Sequence, residues 1–206
     1  MDEAGSDIER AIRTAHEGGD FQAAASCALD AYGSEILSFL AARLRARSDA
    51  EEVFAMFAED LWRGLGGFGF RCSVRGWMYA LARNAANRYQ TAVHKRVEQN
   101  LSPSEAQRLS VLVEHVRSAT EAAKRTDSKE KVRALRDRLA LEDQTLLILH
   151  VDRNLPWREL ALVMHDAAAE LDSDGVTREA ARLRKRFERL KVELREMAVA
   201  EGLLEP

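Results

Sequence analysis

The sequence predicts an all-α protein. Three observations carry that expectation. Ala, Leu, Arg and Glu dominate the composition, strand-like alternation of apolar and polar residues is scarce, and only three prolines interrupt 206 residues. With 46% apolar residues and no low-complexity run, the chain can build one core or two small ones.

The elements follow in order. A short helix is expected over Ser6–His16, stopped by the pair Gly18-Gly19, so that residues 1–20 form an N-terminal helix. A longer helix runs from about Phe21 to Arg47, with Ile36, Leu37, Leu40 and Leu44 as its apolar stripe. A third begins at Ser48 or Asp49, either of which can cap it, and buries Val53, Phe57 and Leu61. The run GLGGFGF, residues 64–70, ends it in a turn. A fourth follows with Val74, Trp77, Leu81 and Ala85 inward. These helices make a first domain, 21–96.

Residues 97–130 read as a flexible linker that itself carries a helical pattern over Ser104–Lys124. A second domain, 131–206, holds helices at about Lys131–Leu139 with Glu142–Val151, at Trp157–His165 and at Thr177–Met197.

Bulk charge and motifs narrow the function classes. The net charge of −3 says little, and no acid-free apolar segment opens the chain as a signal peptide or approaches the length of a membrane span. A cytoplasmic protein with Cys27 and Cys72 reduced is expected, since neither belongs to a CxxC or has a His at ligand spacing. No metal and no cofactor are expected. The five histidines are scattered, no nucleophile–base set converges, and the glycine run follows a helix, not a strand, so an enzyme is not expected.

Charge distribution is more telling. On the last helix Leu183, Phe187, Leu190 and Leu194 fall at i, i+4, i+7 and i+11, while Arg178, Arg182, Lys185 and Arg189 repeat that spacing on another face. Residues 177–191 hold seven cations against two acids. Such a helix suits a DNA groove, where Lys and Arg release phosphate counterions and Arg reads guanine bidentately. By pattern alone a solvated surface helix serves as well. The preceding amphipathic helix favours a helix-turn-helix, although DAAAELDSDGV, spanning the insertion 166–176, is longer than the usual turn.

Residues 73–96 contain no carboxylate, although Asp and Glu number 34 in the chain. They hold five cations, with Asn84, Asn87, Arg88 and Thr91 as a polar stripe that Arg83 and Gln90 widen. Asn and Gln pair with base edges, and Phe68, Phe70 and Tyr79 can stack on an exposed base. The third helix is the opposite: residues 49–60 hold Asp49, Glu51, Glu52, Glu59 and Asp60 and no base, a face suited to a basic protein surface or to capping its own helix.

The segments DAEEVFAMFAEDLWRGL, FGFRCSVRGWMYALARNAANR and NLPWRELALVM…RLRKRFERLK, in this order, resemble extracytoplasmic-function sigma factors of bacterial RNA polymerase. The resemblance covers roughly residues 21–96 and 131–195. It implies a sigma region 2 bundle and a region 4 helix-turn-helix in one monomer, bound to core RNA polymerase and promoter DNA. Asp49, Glu51, Glu52, Glu59 and Asp60 would dock on the β′ clamp helices. Phe68, Phe70, Arg71, Arg83, Asn84, Asn87 and Arg88 would melt and hold the −10 element. Thr177, Arg178, Arg182, Lys185, Arg186 and Arg189 would read the −35 element, with the second domain also touching the β flap. Many relatives are held by an anti-sigma factor. Departures from the family pattern are Ala55-Met56 in place of Gln-Glu or Gln-Asp, Val74 in place of Phe, and Pro156 in place of a capping Ser or Thr. A helix-turn-helix regulator that is not a sigma subunit explains residues 131–197 but leaves the first domain without a role.

Overall fold

Asp20 closes one helix and starts the next. In the computed structural model, which describes residues 3–44, 46–91, 134–165 and 171–205, helix α1 spans Glu3–Glu17 and α2 spans Phe21–Arg43. Gly19 takes φ 78, the Gly19 N–H donates to His16 O at 2.9 Å and the Asp20 N–H to Ala15 O at 3.0 Å, which is a Schellman ending. The Asp20 carboxylate then accepts from Ala23 N–H at 2.9 Å and caps α2.

All described regular structure is helical, and the chain divides into two compact units, Met1–Ala123 and Lys124–Pro206. In the first, α2 packs against α1, α3 (Arg47–Gly64) and α4 (Val74–Thr91). Its central place explains why it is apolar on several faces: Ala24, Ala28, Leu29, Ile36, Phe39 and Leu40 are all 0–1% exposed. Fully burying each of the larger ones contributes roughly 1.5–3 kcal/mol. The N-terminal helix is part of this core, since Ile12 is 0% exposed.

Two local expectations shift. Helix α3 begins at Arg47, and neither Ser48 nor Asp49 caps it; both lie inside its first turn. Helix α4 is rotated from the expected phase. Val74 and Ala85 are buried as expected, but Trp77 and Leu81 are only half-buried, and Met78, Tyr79, Ala82 and Ala86 take the interior. The three alanines at 82, 85 and 86 let the backbone approach α2 and α3 closely, which a Trp in the same seam would prevent.

The linker 97–130, with its expected helix, lies outside the described residues. In the second unit, α5 (Leu141–Leu147) runs into a wider turn over Ile148–Asp152, where the Arg153 N–H reaches back to Ile148 O at 3.0 Å. Helix α6 spans Trp157–Met164 and α7 spans Ser173–Ala200. Leu146, Leu149, Leu155, Leu160, Ala161, Val163 and Leu183 are 0–1% exposed and make the core. The His150 ring completes it, 4.0 Å from the Trp157 ring and edge-on to Phe187, with Nδ1 3.2 Å from Leu155 O.

Helix α7 starts four residues before the expected Thr177. Its cap is Asp172, whose carboxylate accepts from Gly175 N–H at 2.7 Å. Pro156 occupies the cap position of α6 with no side-chain bond, its carbonyl accepting from Leu160 N–H at 2.9 Å.

Candidate nucleic-acid interfaces

On α7, burial separates the two faces. Leu183 and Leu190 are 1% and 3% exposed, while Arg178, Arg182, Arg184, Lys185 and Arg189 are open to solvent. Arg182 is held by Glu179 through a two-toothed pair at 2.8 and 2.9 Å, and that bond raises its pKa. Thr177 is exposed, and its hydroxyl donates to Ser173 O at 3.0 Å. Arg186 departs from the expected surface. It is half-buried and pairs with Asp143 at 2.5 Å, fastening α7 to α5. Its place in the sequence, one residue from Lys185, gave no hint of this, because the pairing depends on where Asp143 of α5 comes to lie.

The loop between α3 and α4 is built from rings. After a single tight turn at Leu65–Gly67, Phe68 lies 9% exposed and stacks on Trp77, centroids 4.4 Å apart at 18°. Phe70 takes the left-handed φ of 52, rare for a bulky residue, and is held by Phe68 at 4.7 Å, by the edge of His16 at 5.0 Å and by the Arg13 guanidinium at 4.4 Å. His16 Nε2 also lies 3.0 Å from Leu65 O. Left-handed strain thus falls on Phe70 and not on the glycines of GLGGFGF. Gly64 has a different purpose, since a Cβ there would sit 3.2 Å from the Trp77 ring.

Helix α4 presents Trp77, Leu81, Asn84, Arg88 and Thr91 along its outer side, at i, i+4, i+7, i+11 and i+14. Arg71 is exposed at its approach. Two expected contacts lie elsewhere. Arg83 is 4% exposed, within the bundle, and Asn87 accepts through Oδ1 from Arg43, itself 4% exposed. Arg88 pairs with Asp60 of α3.

The acid-free stretch turns out to take its carboxylates from the helices around it. Glu9 of α1 accepts from the Val74 N–H at 2.8 Å and the Arg75 N–H at 3.0 Å, Glu35 of α2 pairs with Arg75, and Asp60 of α3 pairs with Arg88. The Tyr89 hydroxyl donates to Asp49 at 3.1 Å and reaches Glu52 at 3.5 Å. Burial, and then Asp49 and Glu52, push the Tyr89 pKa up. Burial first and Glu9 next do the same to Tyr32, whose hydroxyl lies 3.4 Å from Glu9. With Ser73 Oγ accepting from Gly76 N–H at 2.9 Å, the first three donors of α4 all have acceptors.

Of the expected acidic face, Asp49, Glu51, Glu52 and Asp60 remain at the surface. Glu59 does not. It is 8% exposed and bridges to Arg63 one turn on at 2.5 Å. Sequence reasoning missed Glu9, Arg13, His16 and the outward Trp77. Nothing local ties Glu9 to a helix 65 positions away, and the abundance of apolar residues on α4 left its phase open.

Among the described residues no group of three or more His, Cys, Asp or Glu side chains could hold a metal, and no helix is long and apolar enough to cross a membrane. Neither Cys27 nor Cys72 forms a disulfide, and burial with the Asp30 charge raises the Cys27 pKa. Comparison of the chain with protein-family models, with curated proteins and with solved structures found no match.

Proposed function

We propose that this chain is a promoter-recognition subunit of the sigma type, lending sequence specificity to core RNA polymerase. The observation that carries the reading is α7. A helix with Leu183 and Leu190 in the core exposes Arg178, Arg182, Lys185 and Arg189 at i, i+4, i+7 and i+11, behind an amphipathic helix of two turns. Such a row follows a phosphate line and can offer guanidinium groups to guanine edges. The resemblance of the three quoted segments to extracytoplasmic-function sigma factors supplies the rest: a −10 surface along the outer side of α4 and an acidic docking face on α3.

The test is co-purification of the full chain with core polymerase, followed by run-off transcription on genomic fragments. The expected result is association as a monomer and initiation at discrete sites. Failure to associate at any ionic strength overturns the reading.

One observation favours a second reading, a helix-turn-helix regulator that does not act with polymerase. Asn87, Arg88 and Asp60 already have partners inside the first unit, so these groups have a structural purpose without DNA. That reading expects a stable dimer on a palindromic site.

A further inference from the structure

The two surfaces assigned to different partners on the first unit touch each other. Asp49, Glu52 and Asp60 of α3 fall at i, i+3 and i+11 and so share one edge of that helix. Each of them is engaged by α4: Asp60 by Arg88, Asp49 and Glu52 by the Tyr89 hydroxyl. The pairs are open to competition, with the Arg88 and Asp60 side chains 51% and 30% exposed.

We infer that this seam is a latch: Asp60 masks Arg88 from nucleic acid until a cationic protein surface takes the place of Arg88 and Tyr89 on the acids of α3. The inference rests on the reading above and adds a coupling to it. An ion pair at such exposure contributes little, so the mask weakens nucleic-acid binding by about fivefold at most. The coupling is reciprocal. A protein surface seated on Asp49, Glu52 and Asp60 frees Arg88 for a phosphate, and a phosphate that captures Arg88 leaves Asp60 open to that surface. Binding of the two partners is thereby cooperative without any movement of backbone.

The experiment measures anisotropy of a labelled thymine-rich single-stranded DNA with the full chain, over a range of salt. Four forms are compared with the unaltered chain: Asp60→Asn, Arg88→Ala, the two combined, and Asp7→Asn. The last removes an equal charge from α1 at a residue that pairs with Arg10 on its own helix at 2.8 Å. The expected result is that Asp60→Asn tightens binding about threefold and steepens the logarithmic salt dependence by about 0.7, one more phosphate contact on a single strand. The gain is expected to vanish when Arg88→Ala is added, and to be absent in Asp7→Asn. A gain that persists without Arg88, or that Asp7→Asn matches, is a general charge effect and overturns the latch alone. If none of the forms binds the strand, the nucleic-acid reading of this unit falls with it, whatever the result with polymerase.

Discussion

The Glu9 carboxylate sits on the first turn of α4, 2.8 Å from the Val74 nitrogen and 3.0 Å from that of Arg75. A helix N-terminus carries unsatisfied donors and a positive dipole end, and here a side chain from the opposite end of the bundle's sequence answers both. The aromatic loop lies immediately before that turn, so α1 holds the loop at both ends: Glu9 after it, His16 on Leu65 at its start.

Glu9→Gln is therefore expected to destabilise the first unit by about 1–2 kcal/mol. An amide keeps one acceptor oxygen but turns an NH2 toward a second N–H. Urea unfolding followed by Trp fluorescence checks this. An unchanged midpoint would mean that solvent caps α4 equally well.

Gly175→Ala tests packing against propensity. In an exposed helix the change gains up to about 1 kcal/mol. Here a Cβ would stand 2.8 Å from the Asp172 Oδ1 that caps α7 and 3.0 Å from Leu171 Cδ2. The expected net effect is a loss of about 1 kcal/mol in stability, with fraying at the start of α7. Hydrogen exchange of residues 175–178 reads it directly, and slower exchange in the variant would contradict the expectation.

Asn84 and Asn87, neighbours on the polar stripe, are expected to separate on mutation. Asn87→Ala removes one acceptor of Arg43, itself 4% exposed, and is expected to cost about 1 kcal/mol of stability. Asn84→Ala, half-exposed, is expected to leave stability within about 0.5 kcal/mol and to impair strand opening on a promoter. Permanganate footprinting beside a melting curve distinguishes the two.

The basic helix divides in the same way. Arg182→Glu with Lys185→Glu is expected to abolish promoter-directed transcription while polymerase still co-purifies. Arg186→Ala, by contrast, is expected to lower the stability of the second unit by about 1 kcal/mol through loss of the Asp143 pair, with a smaller effect on DNA binding. Run-off assays and denaturant titrations of both variants give opposite orders if Arg186 is the DNA contact.

Local rules determined much of this protein. Helix content, the stop at Gly18-Gly19, the buried stripe of α3 and the two faces of α7 follow from side-chain spacing and backbone preferences that act over a few residues. The exposed cation row needed nothing more, because Leu183 and Leu190 set the phase of α7 unambiguously.

Only tertiary packing decided the phase of α4, where Trp77 and Leu81 compete with Met78 and Ala82 for the interior and close approach to α2 and α3 selects the smaller set. It also decided which charges stay available. Arg83 and Glu59 went inward, Arg186 met Asp143, and the acid-free helix acquired carboxylates from Glu9, Glu35 and Asp60. The physical reason is range: periodicity reports which residues share a face of one helix, whereas the partner of a charge depends on which other helix lies within about 4 Å of it.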